Sequence, residues 1–224
     1  MPVESEPRPL LIAPSILAAD YGRLADEIAT VRPAVDWVHV DIMDGHFVPN
    51  LSIGPPVVAS LRRHTDLLLD CHLMVTDPGR WLEPLKEAGA DGVSFHVELG
   101  DPTELLGRIR AMGFMTGLVV DGPTPFAAVE PYLDLIDLLL VMTIKAGFGG
   151  QALMPETLTK VERADRIRRE RALDFRLEVD GGIKADTAAA ATRAGADVLV
   201  SGSGIFGQRD PLGAARELRR SALA

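Results

Sequence analysis

Eight short runs rich in apolar and β-branched residues recur along the chain at near-regular intervals. They are LLIAPS (10–15), DWVHVDIM (36–43), LLLDCHLMV (67–75), DGVSFHV (91–97), MTGLVV (115–120), DLLLVMTI (137–144), FRLEVDGG (175–182) and DVLVSGS (197–203). Runs of this length, bounded by turn residues, predict buried strands. The segments between them, such as 21–31, 78–90, 102–113 and 155–172, place apolar residues at helical spacing among alanine, leucine, arginine and glutamate. This alternation predicts an α/β fold, a parallel sheet with helical crossovers. Eight such units in 224 residues predict a single (β/α)8 TIM barrel, a compact example of a type that usually takes about 250 residues. The competing open, doubly wound sheet carries a glycine-rich fingerprint directly after its first strand. Here that strand runs into Ala13-Pro14-Ser15-Ile16-Leu17, which favours the barrel.

Local signals agree with this phasing. Asp77-Pro78 and Asp101-Pro102 predict an N-cap followed by a first-turn proline, and Ala88-Gly89 and Met112-Gly113 predict glycine stops. Two AGAD phrases, Ala88 to Asp91 and Ala194 to Asp197, read as turns from helix to strand at the bottom of the barrel. The first nine residues, with three prolines and no apolar run, read as a flexible lead-in and not a signal peptide. Residues 10–224 then form one catalytic domain.

Composition narrows the partners. A net charge of −9 and a pI near 5.0 argue against nucleic acid and against anionic lipid. No apolar stretch reaches the length of a membrane helix. Cys71, the single cysteine, excludes an internal disulfide and fits a reducing, cytoplasmic setting.

The polar residues that stand out lie at the C-terminal ends of the predicted strands, where barrels place their sites. Side chains two apart on a strand share a face, so His39, Asp41 and Met43 point one way, as do His72 and Met74 on the next strand; Asp180 ends the seventh. Two imidazoles and two carboxylates from three strands predict a divalent transition-metal site with nitrogen and oxygen ligands. Taken singly, each of these residues is most simply a hydrogen-bonded structural group, and the joint pattern is what points to a metal.

Glycine supplies a second pattern: Gly147-Phe148-Gly149-Gly150 after strand six, Gly181-Gly182 after strand seven and Gly202-Ser203-Gly204 after strand eight. Backbone N–H groups there, with a short helix N-terminus, predict phosphate-binding loops after strands 6–8 that need no basic patch.

The phrases APSILAADYGRL, HVDIMDGHFVPNLSIGP, CHLMV, GFGGQ, VDGGI and GSGIFG resemble the ribulose-phosphate 3-epimerase family, from about Leu10 to Ala215. The resemblance implies epimerisation of D-ribulose 5-phosphate to D-xylulose 5-phosphate, a step of the pentose phosphate pathway. It implies His39, Asp41, His72 and Asp180 as metal ligands, with Asp41 and Asp180 also the acid/base pair. Ser15, His72, Gly147 to Gly150, Asp180 to Gly182, Gly202 and Ser203 are implied as substrate contacts, and Met43, Met74 and Met142 as the lining around the reacting centre. A homo-oligomer is implied as well. Zinc, iron, manganese and cobalt all suit the ligand set. The chain departs from the family pattern at Ile144-Lys145-Ala146, where Val-Asn-Pro or Val-Glu-Pro is usual, and at Asp121-Gly122, where an Asn-Pro-like turn is usual. These changes leave open another ketose phosphate, a hexulose or tetrulose phosphate. A phosphate-binding aldolase or synthase using Lys145 is a more distant alternative.

The remaining titratable residues have plainer readings. His46 and His64 are expected at the surface, and Lys145 and Lys184 as exposed lysines near the rim. His96 is either a packing residue or a support behind a ligand.

Overall fold

The computed structural model describes residues 8–224. Its eight strands are β1 (Leu11–Pro14), β2 (Trp37–Met43), β3 (Leu68–Met74), β4 (Gly92–His96), β5 (Met115–Val120), β6 (Leu138–Met142), β7 (Arg176–Asp180) and β8 (Val198–Ser201). Each falls inside a run predicted from the sequence. All pair in parallel, in the order β1-β8-β7-β6-β5-β4-β3-β2. The ends of this sheet meet through a single parallel bridge, Ser15 to His39, reinforced by Asp36 N–H donating to the Ile12 carbonyl at 2.9 Å. A (β/α)8 barrel results, with its seam between β1 and β2.

Seven α-helices surround it: α1 (Leu24–Val31), α2 (Pro55–Arg62), α3 (Leu82–Ala88), α4 (Thr103–Ala111), α5 (Leu158–Glu170), α6 (Ala185–Arg193) and α7 (Pro211–Ala222). The fifth unit has no α-helix. Two 3-10 segments, Phe126–Ala128 and Glu130–Leu135, replace it, and Pro125 and Pro131 explain why, since each removes an N–H that a longer helix would use. The expected aspartate caps also differ. Asp77 makes no capping bond, and a 3-10 turn over Pro78–Trp81 precedes α3. Asp101 accepts from the N–H and hydroxyl of Thr103 in a local turn. Gly89 does end α3 in the left-handed conformation at φ 84°. Of the predicted lead-in, residues 1–7 lie outside the described residues, whereas the Arg8 side chain donates to the Leu173 carbonyl and the Pro9 carbonyl accepts from Arg176.

The barrel bottom is organised by a device repeated four times. Asp36, Asp91, Asp137 and Asp197, each just before an even-numbered strand, accept the N–H of Ile12, Leu69, Thr116 and Leu177 on the preceding odd strand. Each aspartate's own N–H donates back to the carbonyl of that same residue. An arginine closes every clasp: Arg62, Arg110 and Arg168 come from the helix before the odd strand, and Arg219 comes from α7, the neighbour of β1 around the barrel. The two AGAD phrases each end in a clasp aspartate. Their turns are therefore ion-paired anchors as well as glycine stops.

Inside the barrel, Trp37, Met115, Leu138 and Val198 close the N-terminal end. Met43, Met74, Val119, Leu140 and Met142 line the C-terminal end. Between these apolar layers His39, Asp70 and Glu178 are fully buried. A second, larger core packs helices against the outer sheet face.

Burial grades the four clasps. The Arg168–Asp197 side chains are 6% and 8% exposed, against 53% and 41% for Arg110–Asp137. Removing one partner of a buried pair strands a charge and costs about 3–5 kcal/mol, while exposed pairs contribute about 1 kcal/mol or less. Arg168→Met should accordingly lower unfolding stability several times more than Arg110→Met, as read from urea denaturation midpoints. Equal losses would refute the ranking.

Candidate functional site

The period-two alternation of β2, β3 and β7 turns His39, Asp41, His72 and Asp180 to the barrel interior. One ligand atom from each lies within 4.8 Å of the others. His72 Nδ1 stands 3.1 Å and His39 Nε2 3.4 Å from the same oxygen, Asp41 Oδ1. The other Asp41 oxygen accepts the Ser15 hydroxyl at 2.5 Å, a bond that crosses the barrel seam and aims Oδ1 at the imidazoles. His39 Nε2 is buried without a hydrogen-bond partner. Four ligand atoms converging in this way, one of them an otherwise unused ring nitrogen, fit a divalent transition-metal ion.

Both imidazoles are held from behind. His39 Nδ1 lies 2.8 Å from Asp70 Oδ2 and 3.5 Å from Glu178 Oε1. His72 Nε2 meets His96 Nε2 at 2.9 Å, and His96 Nδ1 meets Glu98 Oε2 at 3.0 Å. Sequence reasoning passed over Asp70 and Glu178, although each sits two residues before a predicted ligand on the same strand face. The alternation that linked His39 to Asp41 would have found them.

The electrostatics follow from this crowding. Burial alone would lower the pKa of His39, but Asp41, Asp70 and Glu178 together hold it well above the ordinary imidazole value. Asp41 would be raised by burial, yet the positive charge of His39 and the closeness of both imidazoles hold it well below the usual carboxylate range. Burial, and then the charge of Asp41, raises Asp180. Burial and the neighbouring Asp70 raise Glu178. The two candidate acid/base carboxylates are therefore pushed in opposite directions, the usual way one site obtains both an acid and a base.

Above the four ligands opens a cavity of about 500 Å³, within the range of small-molecule sites. Its wall contains Ser15, Asp41, Met43, Met74, Met142, Gly147 to Gly150, Asp180 to Gly182, Gly202 and Ser203. His39 and His72 are fully buried and lie beneath this wall. His72, expected as a substrate contact, is not part of this wall, and its two nitrogens face Asp41 and His96. Gly182 has φ +65°, and a Cβ there would come within 2.3 Å of the Leu153 backbone nitrogen, so this approach of loop to loop requires glycine. Residues 202–208 form hydrogen-bonded turns and not the short helix expected there. Tyr21, Leu51 and Asn50 also border the cavity; they lie within the phrases that resemble the family, but neither spacing nor residue type marks them as site residues. Lys145 and Lys184 are exposed and absent from the cavity wall, and His46 and His64 are exposed.

The two departures from the family pattern meet in space. The Asp121 carboxylate accepts the Ala146 N–H at 3.0 Å, a donor that a proline at that position would lack. A Cβ on Gly122 would stand 2.8 Å from the Ile144 carbonyl.

No helix among the described residues is long and apolar enough to cross a membrane. The family model for the ribulose-phosphate 3-epimerase family matches residues 11–206. A protein named ribulose-phosphate 3-epimerase from Mycobacterium tuberculosis is 51% identical over 216 residues, covering 95% of this chain and 93% of that protein. The Bacillus subtilis protein of that name is 41% identical, with 94% and 98% covered. One named as the cytoplasmic isoform in Oryza sativa subsp. japonica is 46% identical, with 94% and 93% covered. A solved 3-hexulose-6-phosphate synthase superposes with TM-score 0.69 at 22% identity, covering 95% of this chain and 99% of that one, and shares the fold.

Because His39 binds a proton strongly when the carboxylates face it, a metal must displace that proton, and affinity should fall as pH falls. Chelator competition with zinc should show this loss at every pH below the raised His39 pKa, approaching about one log unit per pH unit for one displaced proton. A flat profile would exclude His39 as a ligand.

Proposed function

The chain belongs to the ribulose-phosphate 3-epimerase family, and from that premise we propose that it interconverts D-ribulose 5-phosphate and D-xylulose 5-phosphate in the cytoplasm. The observation that carries the reading is the convergence of Asp41 and Asp180 on one cavity, above two buried imidazoles whose ligand atoms lie within 4.8 Å of theirs.

Inverting the carbon beside a ketone means taking a proton from one face and returning one to the other. A single base would tend to return the proton to the face it left, so two carboxyls are needed. Asp41 and Asp180 are carried by β2 and β7, the strands that flank the β1–β8 pair, and they can address a substrate from two sides. Ser15 holds Asp41 in register. His39, Asp41, His72 and Asp180 would hold a divalent ion, with zinc, iron, manganese and cobalt all suited to this ligand set. When bound, the ion supplies Lewis-acid stabilisation of negative charge developing on the ketone oxygen. Met43, Met74 and Met142 give the cavity an apolar, polarizable wall. The glycine loops after β6, β7 and β8 offer backbone N–H groups to the phosphate, which explains how a chain of net charge −9 can take an anionic sugar.

Asp41→Asn and Asp180→Asn should each lower epimerisation by at least about 10²- to 10⁴-fold, the usual loss with an acid/base group. Metal content is measured first, since both are ligands. A metal-loaded variant that keeps the abstracting carboxyl for one epimer should exchange that proton with solvent deuterium without inverting the centre, and the roles should swap with the opposite epimer. Near wild-type interconversion by either metal-loaded variant would overturn the mechanism.

The phosphate subsite has its own test. kcat/KM for D-ribulose should fall far below that for D-ribulose 5-phosphate, and equal values would remove the glycine loops from the reading.

A further inference from the structure

The row His72–His96–Glu98 runs from the buried centre toward the surface, and the proton chemistry above does not use its outer members. His96 is fully buried. Its ring packs on Phe47 with centroids 4.7 Å apart and on His72 at 5.1 Å, which resists rotation. Glu98, its side chain 23% exposed, ends the row. One Glu98 oxygen faces His96 Nδ1 at 3.0 Å and the other accepts the Asp121 N–H at 2.8 Å.

The direction of every hydrogen bond follows from that last contact. A carboxylate only accepts, and the backbone N–H of Asp121, with bonds from His96 and Thr124, holds Glu98 in its ionised form. The His96 proton must then sit on Nδ1, facing Glu98. With its single proton on Nδ1, His96 turns Nε2 to His72 as an acceptor, and His72 then donates from its own Nε2 across the 2.9 Å contact. What remains on His72 is a lone pair at Nδ1, the atom 3.1 Å from Asp41 Oδ1 and the one that can bind a metal.

We propose that His96 and Glu98 are positioning residues that fix which ring nitrogen His72 presents to the metal, so that a carboxylate near the surface sets the metal affinity of a buried centre. This rests on the metal-centre reading given above. Glu98→Gln is the informative substitution. The amide has one acceptor oxygen where the carboxylate has two, yet two N–H groups still converge on it. One of them is left facing an NH2 group, or His96 moves its proton to Nε2 and deprives His72 of its acceptor.

The test uses zinc-loaded full-length protein. Chelator competition should show zinc held about 10- to 100-fold more weakly in Glu98→Gln and His96→Leu than in the unaltered protein, the usual loss when the group behind a ligand is removed. Spectra of ¹⁵N-histidine-labelled protein should show His72 protonated at Nε2 and His96 at Nδ1, and Glu98→Gln should abolish that pattern. His72→Gln is the control. If His72→Gln loses zinc while Glu98→Gln keeps unaltered affinity and unaltered tautomers, the positioning role is wrong. If His72→Gln itself retains zinc with full affinity, the metal-centre reading fails, a different result from the first.

Discussion

Everything at the centre of this barrel depends on carboxylates crowded into and just above its buried layer. Asp41, Asp70, Asp180 and Glu178 share the barrel interior with two imidazoles, and among the described residues none of the four pairs with a lysine or arginine. Taking an ionised carboxylate out of water costs several kcal/mol unless positive charge compensates it. The imidazoles can supply part of that charge. Protons or a metal ion must supply the rest. A site under this constraint binds cations avidly, and small changes of geometry decide which carboxylate carries a proton. The opposed pKa directions of Asp41 and Asp180 follow from that competition: Asp41 faces both imidazoles, and Asp180 faces Asp41.

Strand positions were legible because the barrel buries short apolar runs almost completely, leaving a strong signal in the sequence. Site residues at strand ends were legible because polar groups there interrupt the apolar pattern. The rest was hidden for identifiable reasons. Asp70 and Glu178 share a strand face with His72 and Asp180, which alternation gives, but nothing local says that this face encloses a second buried polar layer. His96 could not be assigned between packing and support because its role depends on two contacts, His72 and Glu98, supplied by different strand ends. The link between Asp121 and Ala146 joins residues 25 apart, and neither announces the other. Unit five lacks the helix of its neighbours, and its prolines give the reason.

The clasps at the barrel bottom and the loops at its top divide the labour of the fold. The apolar layer around Trp37 and Leu138, with the four aspartate clasps, secures the strands at one end. At the other end, a sharp turn at Gly182 brings the loop after β7 against the Leu153 backbone beside the cavity. Ser15 belongs to both parts, since its bridge to His39 closes the cylinder and its hydroxyl orients Asp41.

That double role acquires a temporal meaning when the chain is considered as it is synthesised. Three clasps join neighbours in sequence, but the one at Asp36 takes its arginine from α7, with Arg219 also reaching the Leu10 carbonyl. Arg219, on α7, must therefore leave the ribosome before the clasp at Asp36 can close. Until then β1 can meet β2 through the Ser15 bridge to His39 and the Ser15 bond to Asp41, but it lacks its ion-paired anchor at the barrel bottom.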